Sequence, residues 1–137
     1  MVTNKYLLDT SACIAIIKGN TFVRRMVLEV GKSNCYVSEM TIAELFYGAA
    51  KSGKEKHYQD IQNILGLFEV VPVYTSLRTY GITKATLEKK GQRIDEMDLL
   101  IGSTALYNQM TIITHNTKHM NRIPGIKIED WEMLGVN

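Results

Sequence analysis

The chain has few of the residues that staple, break or anchor a structure. Its 137 residues include two cysteines, Cys13 and Cys35. These are too few, and too far from a CxxC spacing, for a disulfide framework or a structural zinc site. They read as reduced, small apolar side chains. Two prolines, Pro72 and Pro124, and the lack of any glycine- or serine-rich stretch leave no linker at which to divide the chain. Residues 1–137 therefore read as a single domain. No apolar run approaches the roughly 20 residues that span a bilayer. The amino-terminal MVTNKYLL has neither the basic nor the long apolar region of a signal peptide, so a cytoplasmic protein without a membrane segment is expected. Neither sign of charge dominates: 16 Lys and Arg face 14 Asp and Glu, for a net +2. Alone, that balance is too weak to indicate a nucleic-acid partner.

What is present is an ordinary folding composition, 45% hydrophobic and 22% charged, which excludes a disordered or low-complexity chain. Short apolar segments alternate with longer helical ones. Tyr6-Leu7-Leu8 predicts a first strand, and Ala12 to Lys18 a short helix stopped by Gly19. Phe22, Val23, Met26, Val27 and Val30 fall at spacings of three and four, predicting a helix from Thr21 to Val30. Cys35-Val37 reads as a strand, and a helix beginning at Thr41 is expected to turn Leu45, Phe46 and Ala49 inward. Amphipathic helices follow over about 54–67 and 76–90, with an extended segment around Val70–Tyr74 between them. Asp98 is expected to open an almost wholly apolar helix, Leu99–Tyr107, before strands at Thr111–Ile113 and Ile126–Ile128. Strands spaced by helices of this length make βαβ units, and strands with no polar face are buried on both sides. The fold class is α/β, a three-layer α/β/α sandwich with a mainly parallel central sheet.

Chemistry in such sheets gathers at the carboxyl ends of the strands. Four polar residues fall at these ends or at the helix starts beside them: Asp9, Glu44, Asp98 and Asn116. Each has a plain structural use. Asp9 can cap its helix or form an Asx-turn with Ser11, and Thr41-Ile42-Ala43-Glu44 fits a capping box. Asp98 suits an N-cap, and Asn116-Thr117 a short turn. Capping is the commoner role for each taken singly. Taken together, three carboxylates at one sheet edge would repel one another without a cation. Hard ions such as Mg²⁺ or Mn²⁺ take oxygen ligands of this kind, and metal-assisted phosphodiester hydrolysis is chemistry they support.

The strings LLDTSACI (7–14), TIAELFYGA (41–49), DEMDLLIGSTAL (95–106) and TIITHNTKHMNRIPGIKIEDW (111–131) resemble the successive motifs of PIN-domain ribonucleases. Among these, the chain is most similar to the VapC-type toxins of bacterial toxin–antitoxin pairs. The likeness runs from about Lys5 to Trp131 in the family's motif order. It implies the PIN fold, an acidic pocket for Mg²⁺ or Mn²⁺, and endonucleolytic cleavage of RNA. It places metal-site roles on Asp9, Glu44 and Asp98, and gives Thr10 the task of positioning ligands. It implies a VapB-type antitoxin that covers the pocket and binds promoter DNA with the toxin, and a homodimer. The chain departs from the pattern where many relatives carry a fourth acid: here Asn116 is the candidate, and an amide adds no charge. Met120 stands where an aromatic residue is frequent and Gly102 where alanine is, both read as packing variations.

Other polar residues are secondary. Asp95 is a candidate to line the pocket, and Glu96 reads as solvated. His115 and His119 are candidates for RNA contact or proton transfer, and Arg93, Lys118 and Arg122 for contacts to the RNA backbone. His57 and the Lys51, Lys54, Lys56 group read as surface, and Trp131 as packing down the tail. The phosphatase-like alternative suggested by LLD fails, because the second Asp it needs is replaced by Ser11. A catalytically weak PIN-like module that binds RNA or protein is the competing reading, resting on the missing fourth acid.

Overall fold

The computed structural model describes residues 3–132. Five strands, β1 (Tyr6–Leu8), β2 (Cys35–Ser38), β3 (Glu69–Val71), β4 (Thr111–Ile113) and β5 (Ile128–Glu129), form one sheet in the order β3-β2-β1-β4-β5. All four pairings are parallel. Seven α-helices connect them: α1 (Thr10–Ile17), α2 (Thr21–Val30), α3 (Glu39–Ser52), α4 (Glu55–Leu67), α5 (Leu77–Lys89), α6 (Glu96–Tyr107) and α7 (Thr117–Met120). Among the described residues no helix is long and apolar enough to cross a membrane.

The three layers follow from the pleat. Successive strand residues point to opposite faces, so Leu8, Cys35, Val37 and Ile113 pack with α1, α2, α3 and α4. Their neighbours Leu7, Tyr36 and Ile112 pack on the other side with α5, α6 and α7. Leu7, Leu8 and Ile112 have no exposed surface and Ile113 has 1%. Burial of each such side chain contributes about 1.5–3 kcal/mol. Strands sealed on both faces cannot alternate apolar and polar residues, which explains their uniform sequence. Trp131 is fully buried and tilts against Tyr6, ring centroids 5.4 Å apart, packing the tail onto the sheet as expected.

Several element boundaries differ from the sequence expectation, and two of the differences matter for function. Helix α3 starts at Glu39, two residues before Thr41, because the Ser38 hydroxyl accepts from the Met40 amide and caps it. The Thr41–Glu44 capping box therefore does not form, and Glu44 sits on the second turn. Helix α6 starts at Glu96 with Asp95 as its cap, accepting from the amides of Met97 at 3.1 Å and Asp98 at 3.4 Å. Asp98 does not cap. Elsewhere α1 begins at Thr10 rather than Ala12, β5 is Ile128–Glu129, and Tyr74–Ser76 is a 3₁₀ turn instead of extended chain. Phe46 is 38% exposed rather than turned inward.

Candidate active site

Strand order reverses between β1 and β4: from β1 the chain builds outward through β2 and β3, and from β4 through β5. The crevice at such a switch point, beyond the carboxyl ends of the strands, is where open α/β sheets bind ligands. Leu8 is in register with Val37 on one side and Ile113 on the other. Asp9 and Thr114 therefore leave the sheet beside Ser38, the last residue of β2.

Asp9 is nearly sealed, 3% exposed. Its main-chain N–H donates to Ile113 O at 3.0 Å, which continues the ladder one residue past β1. Its carboxylate caps α1, accepting from the Ala12 amide at 2.9 Å and the Ser11 hydroxyl at 2.6 Å. The Thr114 hydroxyl is a further donor to it. These donors favour the charged form, yet burial outweighs them and raises the carboxyl above its ordinary value. Ser11 in turn accepts from the His115 amide at 3.0 Å, and Thr114 Oγ1 from the Asn116 amide at 2.9 Å. The segment after β4 is thus laced to Asp9 through two hydroxyls. Glu44 accepts from the Thr10 hydroxyl, joining α3 to the start of α1.

Asp98, released from capping, is half-buried at the first turn of α6. Burial raises its carboxyl, as do the charges of Asp95, Asp9 and Glu44; only the Asn116 side chain opposes the shift. Asn116 Nδ2 donates to Asp98 Oδ2 at 3.1 Å, and makes no side-chain cap to α7. Asp98 and Asn116 line an open cleft of about 310 Å³ with Arg93, Asp95, His119 and Arg122. Thr10 and Glu44 line a neighbouring groove between α1, α3 and α4. The structure therefore brings Asp9, Glu44, Asp98 and Asn116 into one acidic region. It also places Arg93, Arg122, His119 and Asp95 at the rim, while Lys51, Lys54 and Lys56 are exposed on α3, α4 and the turn joining them. His57 pairs with Ser52 at 2.7 Å, a surface contact.

Among the described residues no Lys, Arg or His pairs with Asp9, Glu44 or Asp98; the ion pairs lie at Lys84–Glu96 and Arg93–Glu88, and the His115 ring lies beside Asp130 and Glu132. Uncompensated charge among oxygen donors is what a hard divalent cation fits. The three carboxylates do not each bring an oxygen within 4.8 Å of the others; among the described residues only His115, Asp130 and Glu132 form so tight a group. Ligand distances near 2.1 Å limit oxygens on one Mg²⁺ to about 4.2 Å apart. As arranged, the acids suit an ion held directly by one or two of them and through water by the rest. Sequence reasoning missed the roles of Ser11 as a bridge and of Thr114; the signal was there in hydroxyls flanking each polar strand end.

The sequence pattern of the PIN domain matches residues 6–126. The tRNA(fMet)-specific endonuclease VapC of Salmonella typhimurium is 33% identical over 129 residues, covering 93% of this chain and 98% of that protein. Ribonuclease VapC2 of Rickettsia felis is 32% identical over 131 residues, with 93% and 98% covered. The crystal structure of VapBC2 from Rickettsia felis, bound to a DNA fragment from their promoter, superposes with a TM-score of 0.87 at 32% identity over 92% of this chain and 98% of that one. An acid-lined switch point on a fully parallel five-stranded sheet, matched in sequence and fold over nearly its whole length, makes this chain a member of the PIN-domain family and, within it, of the VapC ribonucleases.

Proposed function

We propose that the chain is a metal-dependent endoribonuclease, the toxin of a VapBC-type pair, acting through the acids at the switch point. The observation that carries this reading is a set of carboxylates, Asp9, Glu44 and Asp98, freed from ion pairs and, for the last two, from capping. Asp9, Glu44 and Asp98 would hold Mg²⁺ or Mn²⁺. Such a cation, when bound, supplies a water of lowered pKa and offsets charge on the leaving oxygen of an RNA phosphodiester. The chain's own residues do the rest. Ser11, Thr114 and the Ala12 amide fix the Asp9 carboxylate, and Thr10 fixes Glu44. Asn116, standing where many relatives have an acid, orients Asp98 by its N–H. Arg93 and Arg122, which line the rim of the cleft, would meet the RNA backbone.

Kinship with VapBC assemblies gives the toxin a VapB-type antitoxin as partner, and promoter DNA as a target of the pair. The surface that fits such a partner is an apolar groove of about 340 Å³ between α1, α2 and α4, lined by Ile16, Val27, Leu28, Ile64, Leu67 and Phe68. Leu28 at 78% and Leu67 at 39% exposure add to its apolar lining, and a contiguous apolar patch is what marks an interaction site.

The test is direct. Purified chain incubated with structured RNAs is expected to cut them with Mg²⁺ or Mn²⁺ and to stop with EDTA, and Asp9→Asn is expected to abolish cleavage. Cleavage that ignores chelation or survives the substitution contradicts the metal mechanism. Binding of RNA with no cleavage under any metal favours the binding-module reading instead.

A further inference from the structure

Asn116 has one arrangement that satisfies both ends of its amide. Its Nδ2 donates to Asp98 Oδ2 at 3.1 Å, and its Oδ1 lies 2.7 Å from His119 Nδ1. An ionised carboxylate only accepts, so the NH₂ group must face Asp98 and the carbonyl oxygen must turn away. A carbonyl oxygen also only accepts, so the His119 Nδ1 has to carry a hydrogen in either charge state of the ring.

We propose that His119 is a positioning residue: by donating from Nδ1 to Asn116 Oδ1 it holds the amide with its N–H on Asp98. The backbone supports this. Asn116 and His119 are three residues apart, so one turn of α7 brings their side chains to the same face. That turn is anchored by Met120, fully buried, and Ile123, 1% exposed. Without the imidazole donor, the Asn116 amide is free to rotate, and its carbonyl would be drawn toward any cation held by Asp98. With it, Asp98 keeps one oxygen tied and the other available. The neutral ring is left with Nε2 unprotonated, on a side chain that lines the cleft with Arg93 and Arg122. Its bearing on catalysis rests on the nuclease reading, whereas the hydrogen-bond pairing does not.

Two measurements separate those parts. In two-bond ¹H–¹⁵N spectra of the metal-free, full-length chain at mildly alkaline pH, His119 is expected to be the Nδ1–H tautomer. Free histidine prefers Nε2–H, so the result is diagnostic, and Asn116→Ala is expected to restore that preference. An Nε2–H ring in the unaltered protein overturns the proposal. In RNA cleavage, His119→Phe is expected to lower kcat about tenfold with little change in KM, the usual effect of losing a group that orients a ligand. His119→Asn, whose amide nitrogen occupies the Nδ1 position and can replace the donor, is expected to retain most of the rate. No loss in His119→Phe, or equal loss in both variants, overturns the positioning role. No cleavage by the unaltered protein would sink the nuclease reading, and the ring tautomer would then decide by itself whether His119 holds Asn116.

Discussion

At the scale of single residues, the site is a place where favourable folding interactions have been withheld. Asp98 is half-buried near Asp95, Asp9 and Glu44, and burial first, then these charges, raise its carboxyl. The folded state then holds that proton more tightly than the unfolded chain, whose value is the ordinary 3.8. Ionising the group costs stability, none of it below about 3.8 and all of it above the raised folded-state value. Asp98→Asn removes the charge while its amide oxygen still accepts from Asn116. In EDTA at neutral pH this variant is therefore expected to melt several degrees above the unaltered protein, with the gap closing in acid; calorimetry across pH checks it. A variant that melts lower at neutral pH would mean that Asp98 is stabilised by its surroundings. The thiols lie at the opposite extreme. Burial raises Cys13 strongly and Cys35 to about 11, so both are inert packing groups, as their sequence context suggested.

At the scale of elements, two departures from the family pattern turn out to be one. A Cβ added to Gly102 on α6 would lie 2.4 Å from Ile123 Cδ1 and 2.9 Å from Met120 Sδ. Both neighbours are sealed, so neither has space to yield. Gly102→Ala gains up to about 1 kcal/mol of helix propensity but incurs overpacking of typically 1–3 kcal/mol. A net loss of about 1 kcal/mol is expected in denaturant unfolding. Ile123→Val removes the methyl that clashes, so the double variant is expected to be more stable than the sum of the two single effects. Strict additivity would show that the contact is relieved elsewhere. The sequence revealed the strands, the layer order and the acids themselves, because apolar runs and carboxylates at strand ends are local signals. It misplaced the starts of α3 and α6 because several residues could cap each helix. Ser38 prevailed over Thr41, and Asp95 over Asp98. Those small shifts bear on the proposed function, since they leave the Glu44 and Asp98 carboxylates free of capping. The lacing of Asp9 to the segment after β4 was illegible because Ser11 and His115 are 104 residues apart.

At the scale of the whole molecule, the modest net charge conceals a separation. Setting aside Asp9, Glu44 and Asp98, eleven acids remain against sixteen Lys and Arg. A basic body around a concentrated acidic crevice would draw a polyanion toward a site that we propose holds a cation. The fold gathers the acids because all five parallel strands aim their carboxyl ends at the same edge, while the basic side chains are spread over helices, turns and loops. We propose that the unpaired acids at the switch point hold a divalent metal. Calorimetric titration of Mn²⁺ into the metal-free chain tests it most directly, run beside Asp98→Asn and beside Asp130→Asn in the separate His115 group. Binding by the unaltered protein and by Asp130→Asn, with loss in Asp98→Asn, is the expected result. Binding that survives Asp98→Asn unchanged, or that is lost only in Asp130→Asn, would contradict it.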